Sequence, residues 1–315
     1  MPFDPNARKT QVKPLSVLVV FVAVLAAGRI TAAATTEVIK AVGVENMYAD
    51  VISQIGGKYV QVQAIETDPN TDPHTFEVSP KVAREIAGAQ LIVVNGLGYD
   101  DWAGKMISAS HMPNRKVINV QRLLGLPDDT ANPHLWYDPK TMPVVAKAIA
   151  DGLSALLPDR TTYFHANVDK FIASLEPWNA AIAAFKAKYD KTPIAVTEPV
   201  ADYMFDAMGL DIMTPFALQA AIMNGTDPSP QDIATQNVLF ADNKVKVFAY
   251  NQQVTDTLTS SFLDEAKNAR VPVVGVYETM PTPGYTYQTW MLAEVTALKD
   301  AVTDKLSTVT LQKGH

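Results

Sequence analysis

Cysteine is absent from the 315 residues. That absence excludes disulfide frameworks, thiolate zinc sites, iron–sulfur ligation and cysteine nucleophiles, so a metal here must be held by nitrogen and oxygen. Charge is scarce too: only 19% of residues are Asp, Glu, Lys or Arg, and the acids prevail to give a formal net charge of −7. A nucleic-acid binder normally carries a basic face, so no nucleic-acid partner is expected. The chain also lacks H-E-x-x-H, G-x-S-x-G and G-x-x-x-x-G-K-[ST] sequences, which removes the commonest zinc-hydrolase, serine-hydrolase and phosphate-loop signatures. Solenoid repeats and low-complexity tracts are missing as well.

What is present begins with a basic stretch (Arg8, Lys9, Lys13), an apolar run from Leu15 to Ala27, and Ala32-Ala33-Ala34. Basic region, short apolar region and small-x-small site describe a secretory signal peptide, with cleavage expected near Ala34. The run is shorter than the ~20 apolar residues needed to span a bilayer. With no cysteine to carry lipid, the expectation is a periplasmic protein that is not lipid-anchored. The apolar fraction of 48% suits a folded chain, and the length suits two domains.

Beyond the leader, short β-branched runs alternate with helical patterns. Val38–Val44, Val60–Ile65, Leu91–Asn95, Ile194–Thr197, Val245–Tyr250 and Val273–Val276 read as strands. Ser79-Pro80 and Ser229-Pro230 read as helix starts, an N-cap followed by proline at the first helical position. This alternation predicts an α/β fold of two lobes with parallel-sheet cores. The stretch 159–190 differs. Phe164, Val168, Phe171, Leu175, Trp178, Ile182, Phe185 and Tyr189 recur every three or four residues, predicting one long helix bent at Pro177. The expected layout is a signal peptide at 1–34, an N-terminal lobe at 35–158, a linking helix at 159–190 and a C-terminal lobe at 191–315.

Two histidines share a setting. His74 stands in Asp72-Pro73-His74-Thr75-Phe76-Glu77, and His134 in Asn132-Pro133-His134-Leu135-Trp136-Tyr137-Asp138. A preceding proline stiffens the backbone, which pre-positions an imidazole for a metal. Glu198 directly follows the strand at 194–197, and Glu278 nearly follows that at 273–276. The carboxyl ends of parallel strands are where open α/β sheets place ligands.

These two histidine motifs, with Val94-Asn95-Gly96-Leu97-Gly98 and the long helix, resemble the metal-binding solute-binding proteins of bacterial zinc and manganese ABC importers. The resemblance implies two α/β lobes joined by a rigid helix and clamping one divalent ion, with His74, His134, Glu198 and Glu278 as ligands. Glu278 departs from the aspartate usual at the fourth position. Asn251 and Gln252 are weaker candidates. A glutamate at the third position, where zinc carriers have histidine, points toward manganese, with zinc or ferrous iron next. The resemblance further implies a monomer that delivers its ion to an inner-membrane permease with its ATPase, and no enzymatic activity. The alternative is a metal-dependent hydrolase with a His₂Glu site and Glu278 as base. An adhesin role, described for some relatives, is disfavoured by the missing anchor cysteine.

Overall fold

The computed structural model describes residues 1, 2, 11, 38–281 and 283–311. The expected signal peptide and its cleavage site therefore fall almost wholly outside the described residues. No helix among the described residues is long and apolar enough to cross a membrane.

Two four-stranded sheets form the framework. The first contains β1 (Ile39–Glu45), β2 (Val60–Glu66), β3 (Leu91–Val94) and β4 (Lys116–Asn119), in the order β2-β1-β3-β4. The second contains β5 (Pro193–Val196), β6 (Asp211–Ile212), β7 (Val247–Asn251) and β8 (Val273–Val276), in the order β6-β5-β7-β8. Every pairing between these strands is parallel. Parallel strands need crossover connections, and the covering helices bury both sheet faces. Hence β3, β7 and β8 are buried at every position, and their sequences are almost continuously apolar. The expected α/β architecture is what the chain adopts. β4 and β6 escaped the sequence reading because β4 is only half buried and β6 is two residues long.

The linking segment differs from one continuous helix. It is two helices, Thr161–Ser174 and Glu176–Tyr189, meeting at Leu175. Pro177 has no amide hydrogen to give Ala173, so the ladder breaks there and the proline sits in the first turn of the second helix. Leu175 keeps right-handed helical angles (φ −82°, ψ −11°). The apolar stripe therefore keeps its phase, and Phe164, Val168, Phe171, Leu175, Trp178, Ile182 and Phe185 are all buried.

That stripe belongs to one apolar cluster that also takes in β1, β3, β5, β7, β8 and the helix Tyr287–Asp304. Polar bonds reinforce the junction between the sheets. The Asn46 side chain pairs twice with the backbone of Met280, donating to its carbonyl (2.8 Å) and accepting its amide (2.9 Å). Tyr137 donates to the carbonyl of Tyr277 at 2.9 Å and Tyr287 to that of Trp136 at 2.6 Å. The described residues from 38 onward form one compact unit.

Candidate metal centre

In both sheets the chain reverses direction of travel between neighbouring strands, β1 and β3 in one and β5 and β7 in the other. Crevices beyond the carboxyl ends of strands at such switch points are the usual ligand sites of open α/β sheets. The sequence-predicted residues all lie on segments leaving strand ends. His74 sits in a single 3₁₀ turn, Pro73–Thr75, that follows β2. The Asp72 carboxylate accepts the His74 amide at 2.8 Å and fixes that turn. His134 precedes another 3₁₀ turn, Leu135–Tyr137, beyond β4. Glu198 lies just past β5, and Glu278 just past β8.

The structure brings His74, His134 and Glu278 together, each with a ligand atom within 4.8 Å of the others. Glu278 Oε2 lies 3.2 Å from His134 Nε2 and 3.3 Å from His74 Nε2. The His134 and Glu278 side chains are wholly buried, whereas that of His74 is 25% exposed and marks the open side of the site. Glu198 is not in this direct group. It is held beside it through Asn251, whose Nδ2 donates to Glu198 Oε2 at 2.6 Å and to Glu278 Oε1 at 2.8 Å. The other Glu198 oxygen, Oε1, is buried and has no hydrogen-bond partner. Neither His111 nor His165 belongs to the cluster.

Asn132 decides the state of His134. Its Nδ2 donates to the Pro199 carbonyl at 2.7 Å, so its Oδ1 is the acceptor facing His134. That oxygen takes the His134 backbone amide at 3.0 Å and lies 2.8 Å from ring Nδ1. The ring hydrogen therefore resides on Nδ1, and the Nε2 lone pair points at the carboxylate of Glu278. Two acceptors 3.2 Å apart require a positive group between them, a proton or a cation.

Burial dominates the electrostatics. Desolvation pulls His134 below the ordinary imidazole range. It opposes the charged form of His74 as well, but the hydrogen bond and charge of Glu278 outweigh it and leave that imidazole raised. Burial alone would lift the Glu278 carboxyl, yet the two imidazoles beside it, His134 and His74, hold it well below the usual carboxylate range. Glu198 has no such support. Desolvation, and then the charge of Glu278, push its carboxyl well up. A buried carboxylate in that position favours either a proton or a metal ion.

Five supporting residues were missed or undervalued in the sequence. Tyr99 donates to Glu278 Oε2 at 3.1 Å. It follows a turn in which Gly96, Leu97 and Gly98 all have positive φ (87°, 56° and 79°). Asp100 stabilises that turn by accepting the amides of Asn95 (2.6 Å) and Gly96 (2.9 Å). Gln253 accepts the amides of Glu278 (2.7 Å) and Thr279 (2.8 Å) and donates to the Thr71 carbonyl at 2.7 Å, tying the two ligand loops together. Asn132 acts as described. Asn251, a weak candidate in the sequence, links both carboxylates; its position at the end of a buried strand was the available signal.

Comparisons with known proteins bear on the family and the fold. Residues 42–301 match the family model described as zinc-uptake complex component A, periplasmic. A protein of Thermotoga maritima named for metal binding is 27% identical over 175 residues, 54% of this chain and 61% of its own length. The manganese-binding lipoprotein MntA of Halalkalibacterium halodurans is 26% identical over 173 residues, covering 53% of this chain and 56% of the relative. The chain thus spans little more than half the length of these relatives. Among solved structures, the periplasmic zinc-binding protein TroA from Treponema pallidum superimposes with a TM-score of 0.69 at 19% identity, covering 86% of this chain and 99% of that one. This likeness establishes the fold.

Proposed function

The chain belongs to the family of periplasmic zinc-uptake component A proteins, and we propose that it captures a divalent transition-metal ion and delivers it to an ABC importer. His74, His134 and Glu278 would hold the ion, with Glu198 closing the site through its unpartnered Oε1. Two neutral imidazoles and two carboxylates balance a divalent charge, which makes burial of the ion tolerable. The observation that carries this reading is the pinned tautomer of His134. Asn132 leaves a buried lone pair facing a buried carboxylate, an arrangement built for a cation.

The cargo class is manganese or zinc, with ferrous iron also compatible with this donor set. The receiving partner is an inner-membrane permease with its ATPase. The protein acts as a monomer in the periplasm without a lipid anchor, although the relative MntA is a lipoprotein. Binding is favoured over catalysis because Glu278, the base of a hydrolase reading, lies with its Oε2 against both imidazoles, where it would share their ion.

The test is calorimetric titration of metal-free protein with Zn²⁺ and with Mn²⁺, repeated on His134→Ala and Glu198→Ala. One ion per chain is expected, with affinity falling by roughly a hundredfold or more when His134 is removed, since loss of a ligand exceeds the 10–100-fold typical of its supporting partners. Equal affinity of the wild type and His134→Ala would overturn the assignment.

A further inference from the structure

The position of Asn251 bears on which ion the site prefers. Its side chain is fully buried at the end of β7. Its orientation is fixed by its own bonds: Oδ1 accepts the Gln253 amide at 3.0 Å, so Nδ2 must face the carboxylates. The Asn251 backbone amide donates to Thr197 Oγ1 at 2.9 Å, anchoring the residue to the strand end that carries Glu198. Nδ2 then takes one oxygen from each carboxylate, Oε2 of Glu198 and Oε1 of Glu278. The oxygens not bonded to Asn251 are Glu198 Oε1, which has no partner, and Glu278 Oε2, which faces both imidazoles and also accepts the Tyr99 hydroxyl.

We infer that Asn251 is a specificity-determining residue that keeps Glu198 and Glu278 monodentate and so restricts the site to four donors. This rests on the metal-capture reading above and goes one step beyond it. For either glutamate to chelate through both oxygens, its carboxylate must turn to face the ion symmetrically, and the short bonds to Nδ2 restrain that turn. A full turn would leave a buried amide hydrogen without its acceptor, which is costly. With the bonds kept, the donors on offer are His74 Nε2, His134 Nε2 and Glu278 Oε2, with Glu198 Oε1 moving in from beside them to complete a set of four. Four N/O donors in tetrahedral array suit Zn²⁺. Manganese prefers a larger, oxygen-rich shell approaching six ligands, which bidentate carboxylates supply most easily. The third-position glutamate alone points toward manganese; Asn251 withdraws half of the oxygens that this preference would use.

Cobalt(II) reports coordination number directly, because its visible bands are intense when four-coordinate and weak when six-coordinate. The experiment is the absorption spectrum of Co²⁺-loaded wild type and Asn251→Ala, together with Zn²⁺ and Mn²⁺ dissociation constants for both. The wild type is expected to give intense four-coordinate bands. Asn251→Ala should lose that intensity and shift the Zn²⁺-over-Mn²⁺ preference toward Mn²⁺ by about tenfold to a hundredfold, the usual range for residues that orient metal ligands. A weak six-coordinate spectrum in the wild type would overturn the inference even if Asn251→Ala failed to fold, while leaving metal capture intact. An unchanged spectrum and ratio in a folded Asn251→Ala would also overturn it. If neither Co²⁺ nor Zn²⁺ bound the wild type, the capture reading would fall and this one with it.

Discussion

At the scale of single residues, the candidate ligands were legible and the residues that support them were not. His74 and His134 announced themselves through repeated Pro-His loops, and Glu198 and Glu278 through their places after strand ends. Asn132, Tyr99 and Gln253 gave no such sign, because their roles depend on partners distant in the chain: Asn132 meets Pro199, Tyr99 meets Glu278, and Gln253 meets Thr71. Glu294 was equally silent. It is fully buried, accepts hydrogen bonds from Trp290 Nε1 (3.0 Å) and Tyr137 (3.3 Å), and leaves Oε2 without a partner. Burial pushes its carboxyl up to about 8. A raised native value means that both states are protonated at low pH. As pH rises through the unfolded carboxylate range near ~4.3, the unfolded chain releases a proton that the native chain keeps, and stability falls until about pH 8. The loss is on the order of a few kcal/mol. Asp202, also raised to about 8 by burial, has the same sign. Glu294→Gln keeps an acceptor for Trp290 and Tyr137 and cannot titrate. Its melting temperature should therefore drop less between pH 5 and pH 8 than that of the wild type, with the Asp202 contribution remaining. Parallel curves for the two proteins would show that Glu294 is ionised in the native state.

At the scale of elements, hydrophobic period located the central strands and the linking stripe because those segments are buried and their sequences must say so. The edge strand β4 and the two-residue β6 carry too little buried surface to leave a pattern. The linking helix shows where period reaches its limit: the stripe is continuous, yet the backbone ladder breaks at Leu175. Whether Pro177 strains that segment is measurable. In the interior of a continuous helix, proline costs about 3 kcal/mol relative to alanine. In a first turn the missing amide has no partner to lose, and the cost nearly vanishes. Pro177 occupies the first turn of Glu176–Tyr189. Pro177→Ala should therefore change the unfolding free energy in urea by less than about 1 kcal/mol, in either direction, as compatible proline exchanges do. A gain of several kcal/mol would mean that proline imposes a strained kink on a helix that prefers to be continuous.

At the scale of the whole molecule, the two sheets face each other across the metal centre but are not free to open widely. The apolar cluster beneath the centre runs through both, so wide separation would expose buried Trp136, Trp178, Tyr287 and Trp290. Hydrogen bonds across the junction add to this, including the pair between Asn46 and the Met280 backbone, that from Asn132 to the Pro199 carbonyl, and the Asp50 carboxylate accepting the amide of Tyr287 at 2.8 Å. Breaking these hydrogen bonds together with an apolar contact of this extent opposes wide opening. The partly exposed His74 then offers the ion a way in that needs only local movement of its loop. Small-angle scattering of metal-free and Zn²⁺-loaded protein should accordingly give the same radius of gyration within error. Hydrogen exchange should slow on loading in the loops around His74 and Glu278 and stay unchanged in Thr161–Ser174 and Glu176–Tyr189. A clear contraction on loading would instead place a hinge in the linking segment, and the exchange of those two helices would then have to change with it.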